Sequence, residues 1–291
     1  KSHTFRKQSR AVIEQASSII AEYLEQGYDL TLRQLYYQFV ARDILPNNQK
    51  EYDRLGRLIS NAREAGLIDW DAIVDRTRSV QANAHFRDPG DILTEAANQY
   101  RLNTRASQDT YVEVWVEKEA LLGVVGSICE ELDVTCLACK GYFSLSAMWR
   151  ASERIGSAVG IGKKAVVLHL GDHDPSGLDM TRDIRDRLKM FLGVGANFAV
   201  DRVALNIEQI QELNPPPNPA KEADTRSADY VSRYGYESWE LDALDPKIIT
   251  KLIRDSVAGY TDEDRRQELI NRQEQQKQSL AHIADHWQEA C

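Results

Sequence analysis

No apolar stretch in these 291 residues approaches the roughly 20 needed to cross a bilayer, which argues against a membrane-spanning protein. The N-terminus is polar and its first apolar stretch is amphipathic, so no signal peptide is expected. Cysteine is scarce. The four residues Cys129, Cys136, Cys139 and Cys291 are too few for a disulfide framework at this size. Cys136 and Cys139 form a CxxC, but a zinc site draws on a second ligand pair and none stands at a fitting spacing. Small residues in and after a buried strand are the plainer expectation, in a reducing, cytoplasmic compartment. A phosphate-binding glycine loop is also missing. Gly160-Ile161-Gly162-Lys163 has Ser157 where the motif needs glycine and Lys164 where it needs Ser or Thr. No ATPase domain is expected, and no repeat or low-complexity tract is present.

What remains is the composition of an ordinary globular protein, 42% hydrophobic and 28% charged. The net charge of −9 seems to disfavour nucleic acid, but it is unevenly spread. Residues 1–106 carry 15 Lys and Arg against 14 Asp and Glu, and the remainder 21 against 31. Local stripes matter more than the total, and an acidic half can be acidic because it gathers metal-binding carboxylates.

The length suggests two domains, divided here at 106/107. Apolar spacing predicts helices over 9–26, 32–44 with Thr31 as cap, and 49–65, followed by a short extended element within GLIDWDAIVD. Three helices and an extended element suggest a winged helix-turn-helix. Residues 91–106 read as a further helix. From 110 the pattern alternates. YVEVWV, VTCLA, AVVLHL and FAVDRVAL read as strands, with helices over 118–132, 144–157 and 177–192 between them. Such alternation indicates an α/β fold with a parallel, doubly wound sheet. Residues 214–228 are Pro-rich loop or linker, 245–258 are helical, and 261–289 form a long polar helix.

In parallel sheets, ligands sit at the carboxyl ends of the strands. YVEVWV ends at Glu117, and AVVLHL runs into Gly171-Asp172-His173-Asp174. Asp172 and Asp174 are two apart in an extended turn, so both can face one ion. Gly171 permits a tight turn. Pro175-Ser176-Gly177 starts a helix whose N-terminus favours anions. Three converging carboxylates repel one another without a cation, and Mg²⁺ takes such hard ligands together with water and phosphate. Mn²⁺ is the alternative. The plainer reading makes the aspartates helix caps and turn formers. His169 reads as a packed strand residue, and His173 as a candidate phosphate contact.

VEKEALL at 116–122, CKGYFSLSAMWR at 139–150 and GDHDPSGLDM at 171–180 resemble the Toprim domain, and within it the A subunit of topoisomerase VI and the related meiotic double-strand-break protein. VALNIEQIQELNPPPNPAK and WELDALDP extend the similarity, which spans about residues 30 to 260. Phe143 departs from the family's usual proline. The chain is shorter than the usual A subunit and resembles compact, free-standing versions. The resemblance implies a winged-helix domain joined to a Toprim domain and Mg²⁺ at Glu117, Asp172 and Asp174, with Glu117 also catalytic. It implies double-stranded DNA as substrate, a homodimer, a separate ATPase partner and a place at the nucleoid.

It also implies a nucleophile. Family members carry an Arg-x-x-Tyr-Tyr sequence whose second aromatic attacks phosphate, leaving a 5′-phosphotyrosyl link, with Tyr and metal from opposite protomers. Here the sequence is Arg33-Gln34-Leu35-Tyr36-Tyr37. At about 100° per residue, Leu32, Leu35, Tyr36, Phe39 and Val40 share a stripe, so Tyr36 is core. Tyr37 points away beside Arg33, as an exposed phenol that the guanidinium helps to deprotonate. An ordinary surface tyrosine stacked on Arg33 is the plainer alternative. In helix 49–65, Leu55, Leu58, Ile59 and Ala62 form one face. Lys50, Arg54, Arg57 and Asn61 form the other, suited to DNA or simply to solvent. Lys140 and Arg150 are expected in the catalytic groove and Lys118 beside the carboxylates. Glu119, Glu240 and Asp242 are second-tier candidates. Two alternatives stay open beside the transesterase: a hydrolytic nuclease in which Tyr37 only contacts DNA, and a non-catalytic DNA-binding subunit.

Overall fold

The computed structural model describes residues 3–73, 83, 85–219 and 226–287. Apolar spacing produces three N-terminal helices, α1 (Lys7–Leu24), α2 (Leu32–Ala41) and α3 (Gln49–Glu64). The Thr31 side chain accepts from the Gln34 amide while the Gln34 side chain accepts from the Thr31 amide, a capping box that starts α2. The helix stops three residues before the expected end at 44, and Asp43 turns the chain with a φ of 53°. Ile13, Ile20, Tyr23, Leu35, Phe39, Leu55 and Ile59 form the shared core of the three helices. The expected extended element after α3 amounts, among the described residues, to one parallel bridge between Ile73 and Leu30. The end of that element, 74–75, lies outside the described residues.

The fold is α/β, with a parallel sheet as the alternation predicts. Strands β1 (Thr110–Val116), β2 (Thr135–Ala138), β3 (Lys164–Leu170) and β4 (Phe198–Ala204) run in the order β2-β1-β3-β4. Val112, Val114 and Val116 of β1 pack with α5 (Leu122–Leu132) and α10 (Pro246–Ala258) on one face. Trp115 faces the opposite side, with α6 (Leu145–Gly160) and α7 (Pro175–Leu192). Burial of both faces explains the near-continuous apolar run of β3. One exception is Glu113, fully buried on β1. It takes Tyr111, Trp115 and both arms of Arg154 at 2.6–3.0 Å. Nothing in the local pattern marked it as an internal ion pair.

The helix expected over 118–132 begins with a tight turn at Glu119–Leu121 before α5. The helix expected over 91–106 is shorter, α4 (Pro89–Gln99), started by the Asp88 cap. The residues after it are held by contacts from far along the chain, such as the Leu102 amide donating to Gln273 at 2.8 Å. Gln273 belongs to α11 (Glu263–Asp285), which packs along α4. Between β4 and α10 the chain forms α8 (Ile207–Leu213), a short β5 (Asn218–Pro219), α9 (Ser227–Tyr234) and β6 (Glu237–Ser238), with β5 antiparallel to β6. Part of the expected Pro-rich loop, 220–225, lies outside the described residues, as do 288–289 of the long polar helix. Among the described residues no helix is long and apolar enough to cross a membrane.

Candidate active site

Glu117 follows the last residue of β1 and Asp172 lies two residues past β3, so parallel pairing puts them side by side. The pairing continues past the strand ends: the Glu117 amide donates to the Leu170 carbonyl at 2.8 Å. The Asp172 amide then donates to Glu117 Oε2 at 2.9 Å. Gly171 lies under this contact, where a Cβ would come within 3.0 Å of Glu117 Oε2 and of the His169 ring. Its glycine is explained by this close approach; the backbone there is not left-handed, as a tight turn would make it.

Asp172 is buried. Its Oδ1 accepts from the Leu241 amide at 2.8 Å and its Oδ2 lies 3.0 Å from Lys118 Nζ. Burial, with the charge of Glu117 added, pushes its carboxyl up to about 7 although Lys118 pulls the other way. Burial likewise raises Glu117, and the charge of Asp174 adds to it. Asp174 caps α7, its Oδ1 accepting from the Gly177 amide at 2.7 Å and from Ser176 Oγ at 2.9 Å. The plainer cap reading therefore holds for Asp174. Among the described residues no three His, Cys, Asp or Glu side chains stand together ready to hold a metal ion. The donor chemistry of Glu117, Asp172 and Asp174 fits a hard divalent cation in kind: all three offer carboxylate oxygens at one sheet edge.

Arg202 is a residue of this edge that the sequence reading missed. From β4 its guanidinium donates to the carbonyls of Gly171 at 3.0 Å, Asp172 at 2.6 Å, Leu205 at 3.2 Å and Gly177 at 2.9 Å, and to Thr181 Oγ1 at 2.9 Å. It fixes the backbone from which both aspartates project. A lone arginine in the apolar run FAVDRVA was the available signal. His169 is a packed strand residue as expected, fully buried, its Nδ1 2.9 Å from Thr181 Oγ1. The expectation for His173 is corrected. It is buried among Tyr230, Tyr234 and Trp239, with Nδ1 2.9 Å from Tyr230 Oη, and cannot reach a phosphate from there.

A second correction concerns Tyr37, which is 3% exposed instead of solvent-facing. It does lie beside Arg33, whose Cζ sits 5.6 Å from the ring centroid. The polar side of α2, however, packs against the turn at Leu241–Ala243. Tyr37 Oη donates to Glu240 Oε2 at 2.9 Å. The same oxygen takes Lys118 Nζ at 2.8 Å and the Arg33 guanidinium. Asp242 completes the network, 2.7 Å from Arg33 Nε and 2.9 Å from Lys118 Nζ. Burial raises the Tyr37 phenol, and Asp242 and Glu240 raise it further; Arg33 only partly opposes them. The expected activation by Arg33 is thus outweighed in this arrangement. Burial also disfavours charge on Glu240, but Lys118 and Arg33 win and hold it at about 2. Glu240 and Asp242, second-tier in the sequence, are the centre of the junction between α2 and the sheet.

The candidate DNA contacts divide. Lys50, Arg54, Arg57 and Asn61 are exposed along α3, and Arg150 is exposed on α6. Lys140 pairs with Glu119 at 2.7 Å near the surface. The Lys118 ammonium is committed to Asp172, Glu240 and Asp242. No protein-family model matches the chain, and comparison with curated proteins and with solved structures gives no match.

Proposed function

We propose that this chain cleaves DNA strands in a Mg²⁺-dependent reaction, as a compact relative of the topoisomerase VI A subunit with winged-helix and Toprim parts. The observation that carries the reading is the meeting of Glu117 and Asp172 at the carboxyl edge of a parallel sheet, 2.9 Å from side chain to amide, where burial raises both carboxyls, Asp174 adding to the first and Glu117 to the second. Glu117, Asp172 and Asp174 would hold Mg²⁺, or Mn²⁺ in its place. When bound, the ion supplies charge relief to the phosphate and its leaving oxygen. The chain's own residues prepare this edge. Arg202 sets the Gly171–Asp172 backbone. Lys118 holds Asp172 and joins it through Glu240 to Tyr37. The exposed stripe Lys50, Arg54, Arg57 and Asn61 follows the DNA backbone.

Tyr37 is the candidate nucleophile for a transesterase. Its proton faces Glu240, which at about 2 is a poor acceptor. Attack by Tyr37 therefore requires the α2 junction to open, for example by engagement of a second protomer in a homodimer or of an ATPase partner. The burial of Tyr37 favours a second reading, hydrolysis by water at the same edge, with Tyr37 as a strap between α2 and the sheet.

Incubation with supercoiled plasmid and Mg²⁺ or Mn²⁺, quenched with detergent with and without protease, tests both. Strand breaks by the parent chain and none by Asp172→Asn support cleavage at this edge; no breaks with either metal sink the proposal. A covalent protein–DNA adduct that disappears in Tyr37→Phe establishes transesterification. Undiminished nicking by Tyr37→Phe establishes hydrolysis.

A further inference from the structure

Two histidines that the proposed cleavage edge does not use stand side by side at the end of α11. His282 and His286 are both exposed, with ring centroids 4.4 Å apart. Residues four apart share a helix face. That geometry persists past the last helical residue, where the His286 amide donates to the His282 carbonyl at 3.3 Å. The same carbonyl lies 2.9 Å from His286 Nδ1. A carbonyl oxygen can only accept, so Nδ1 holds the proton of that bond and, in the neutral ring, Nε2 keeps a free lone pair. Neither ring has another polar partner among the described residues. The opposite side of the turn is anchored. Ala284 is buried, and the Trp287 indole lies so close over Gly90 of α4 that a Cβ there would come within 2.9 Å of it.

We propose that His282 and His286 together chelate one divalent transition-metal ion of the Ni²⁺, Cu²⁺ or Zn²⁺ class. Imidazole nitrogen suits these ions, whereas Mg²⁺ takes oxygen. The site is therefore distinct in chemistry from the carboxylate edge and does not depend on the cleavage reading. Histidines four apart on one helix face are the ligand spacing of zinc-binding helices. A ligating imidazole almost always donates its other ring N–H to a backbone carbonyl or a carboxylate, which sets the tautomer and aims the ring. His286 already makes that bond. The partial negative charge of a helix C-terminus favours a cation beside the last turn, where His282 lies and where exposed Asp285 adds its charge. With metal–nitrogen bonds of about 2.0–2.1 Å, rings this close can bring both outer nitrogens to one ion. Among the described residues no third His, Cys, Asp or Glu joins the pair. Water then fills the remaining positions, and the ion is exchangeable, unlike a structural zinc with four protein ligands. When bound, it ties residues 282 and 286 together and holds the end of α11 against fraying.

The test is calorimetric titration of the full chain with Ni²⁺ near neutral pH, in excess Mg²⁺ so that carboxylate sites are occupied. The parent chain should take up one ion at this site. Outer partners of a ligating side chain are worth about 10–100-fold in metal affinity, so removing a ligand itself should weaken binding at least about 10-fold. His282→Ala and His286→Ala should each do so, and both positions are exposed, so the fold is kept. Ni²⁺ is paramagnetic and should broaden the NMR ring signals of His282 and His286 ahead of those of His3 and His85. No Ni²⁺ uptake, uptake unchanged in either variant, or broadening that begins at His3 or His85 overturns the site. Each of these results leaves the cleavage reading standing.

Discussion

At the residue scale, Tyr37 and His169 illustrate how environment decides what a side chain can do. The helical angle that takes Tyr37 off the apolar stripe of α2 is real, yet that side is covered by residues around 240, some 203 positions away. No local spacing encodes such a contact. His169, by contrast, was legible: a histidine inside AVVLHL belongs to a buried strand whatever lies around it. Its consequence is a pH dependence. Burial, with Arg202 adding to it, holds the imidazole down at about 3, whereas the unfolded chain protonates near 6.5. The folded-state value is lowered, so the unfolded state binds the proton first. His169 therefore supports stability fully above about 6.5 and loses that support as the pH falls toward 3. One such proton changes stability by up to about 1.4 kcal/mol per pH unit. In urea denaturation between pH 6.5 and 4, His169→Gln should show a flatter loss of midpoint than the parent chain. An unchanged slope would remove His169 as the cause.

At the element scale, α7 shows a local signal with two meanings. Pro175-Ser176-Gly177 reads as a helix start, and α7 begins at Pro175, with the Gly177 amide bonded to the Asp174 cap. The glycine has a second cause that only packing reveals. A Cβ at Gly177 would lie 2.2 Å from the Asp172 carbonyl oxygen, in backbone that Arg202 pins from the other side. In an exposed helix, Gly→Ala stabilises by about 1 kcal/mol. Here the clash must push the Asp172 segment away, and overpacking costs about 1–3 kcal/mol. Gly177→Ala should lower stability in urea denaturation and, on the proposal that this edge holds the ion, weaken Mn²⁺ binding in calorimetry together. A stabilised variant would show that the segment yields freely. Strand and helix types along the chain were legible for a simpler reason: each depends on apolar period and caps within a few residues. At α2, α4 and α5 the boundaries moved where turns or distant partners such as Gln273 take over, and α6 runs three residues past its expected end.

At the scale of the whole molecule, the N-terminal helices meet the sheet side at a charged junction, flanked among the described residues by hydrogen bonds from Tyr23 to Asp245 and from Asn47 to Asn218. Arg33 and Lys118 share Glu240 and Asp242, and Asp242 is almost wholly buried. Breaking a buried pair by removing one partner costs about 3–5 kcal/mol. The Arg33 side chain is 42% exposed, and solvent screening discounts its share, so a loss of about 2–3 kcal/mol is expected for Asp242→Asn. Hydrogen exchange should locate it, with faster exchange in α2 and in the segment around 240 than elsewhere in the sheet. Uniform acceleration would mean that the junction is not a separate joint. Opening this joint is also what transesterification by Tyr37 demands, so the variant's adduct yield bears on that proposal.

The amino-acid order by itself determined the α/β class, the parallel sheet and the placement of Glu117 and the 171–174 turn on one edge. Period-2 and period-3.6 patterns act over neighbouring residues, and parallel alternation then leaves every strand end on the same side. Only the tertiary structure decided that Arg202 underlies the aspartates, that Tyr37 is shut against Glu240, and that His173 is an internal anchor. Each of these depends on groups far apart in the chain meeting in a low-dielectric interior, where burial and partner, not residue type, set charge and reach.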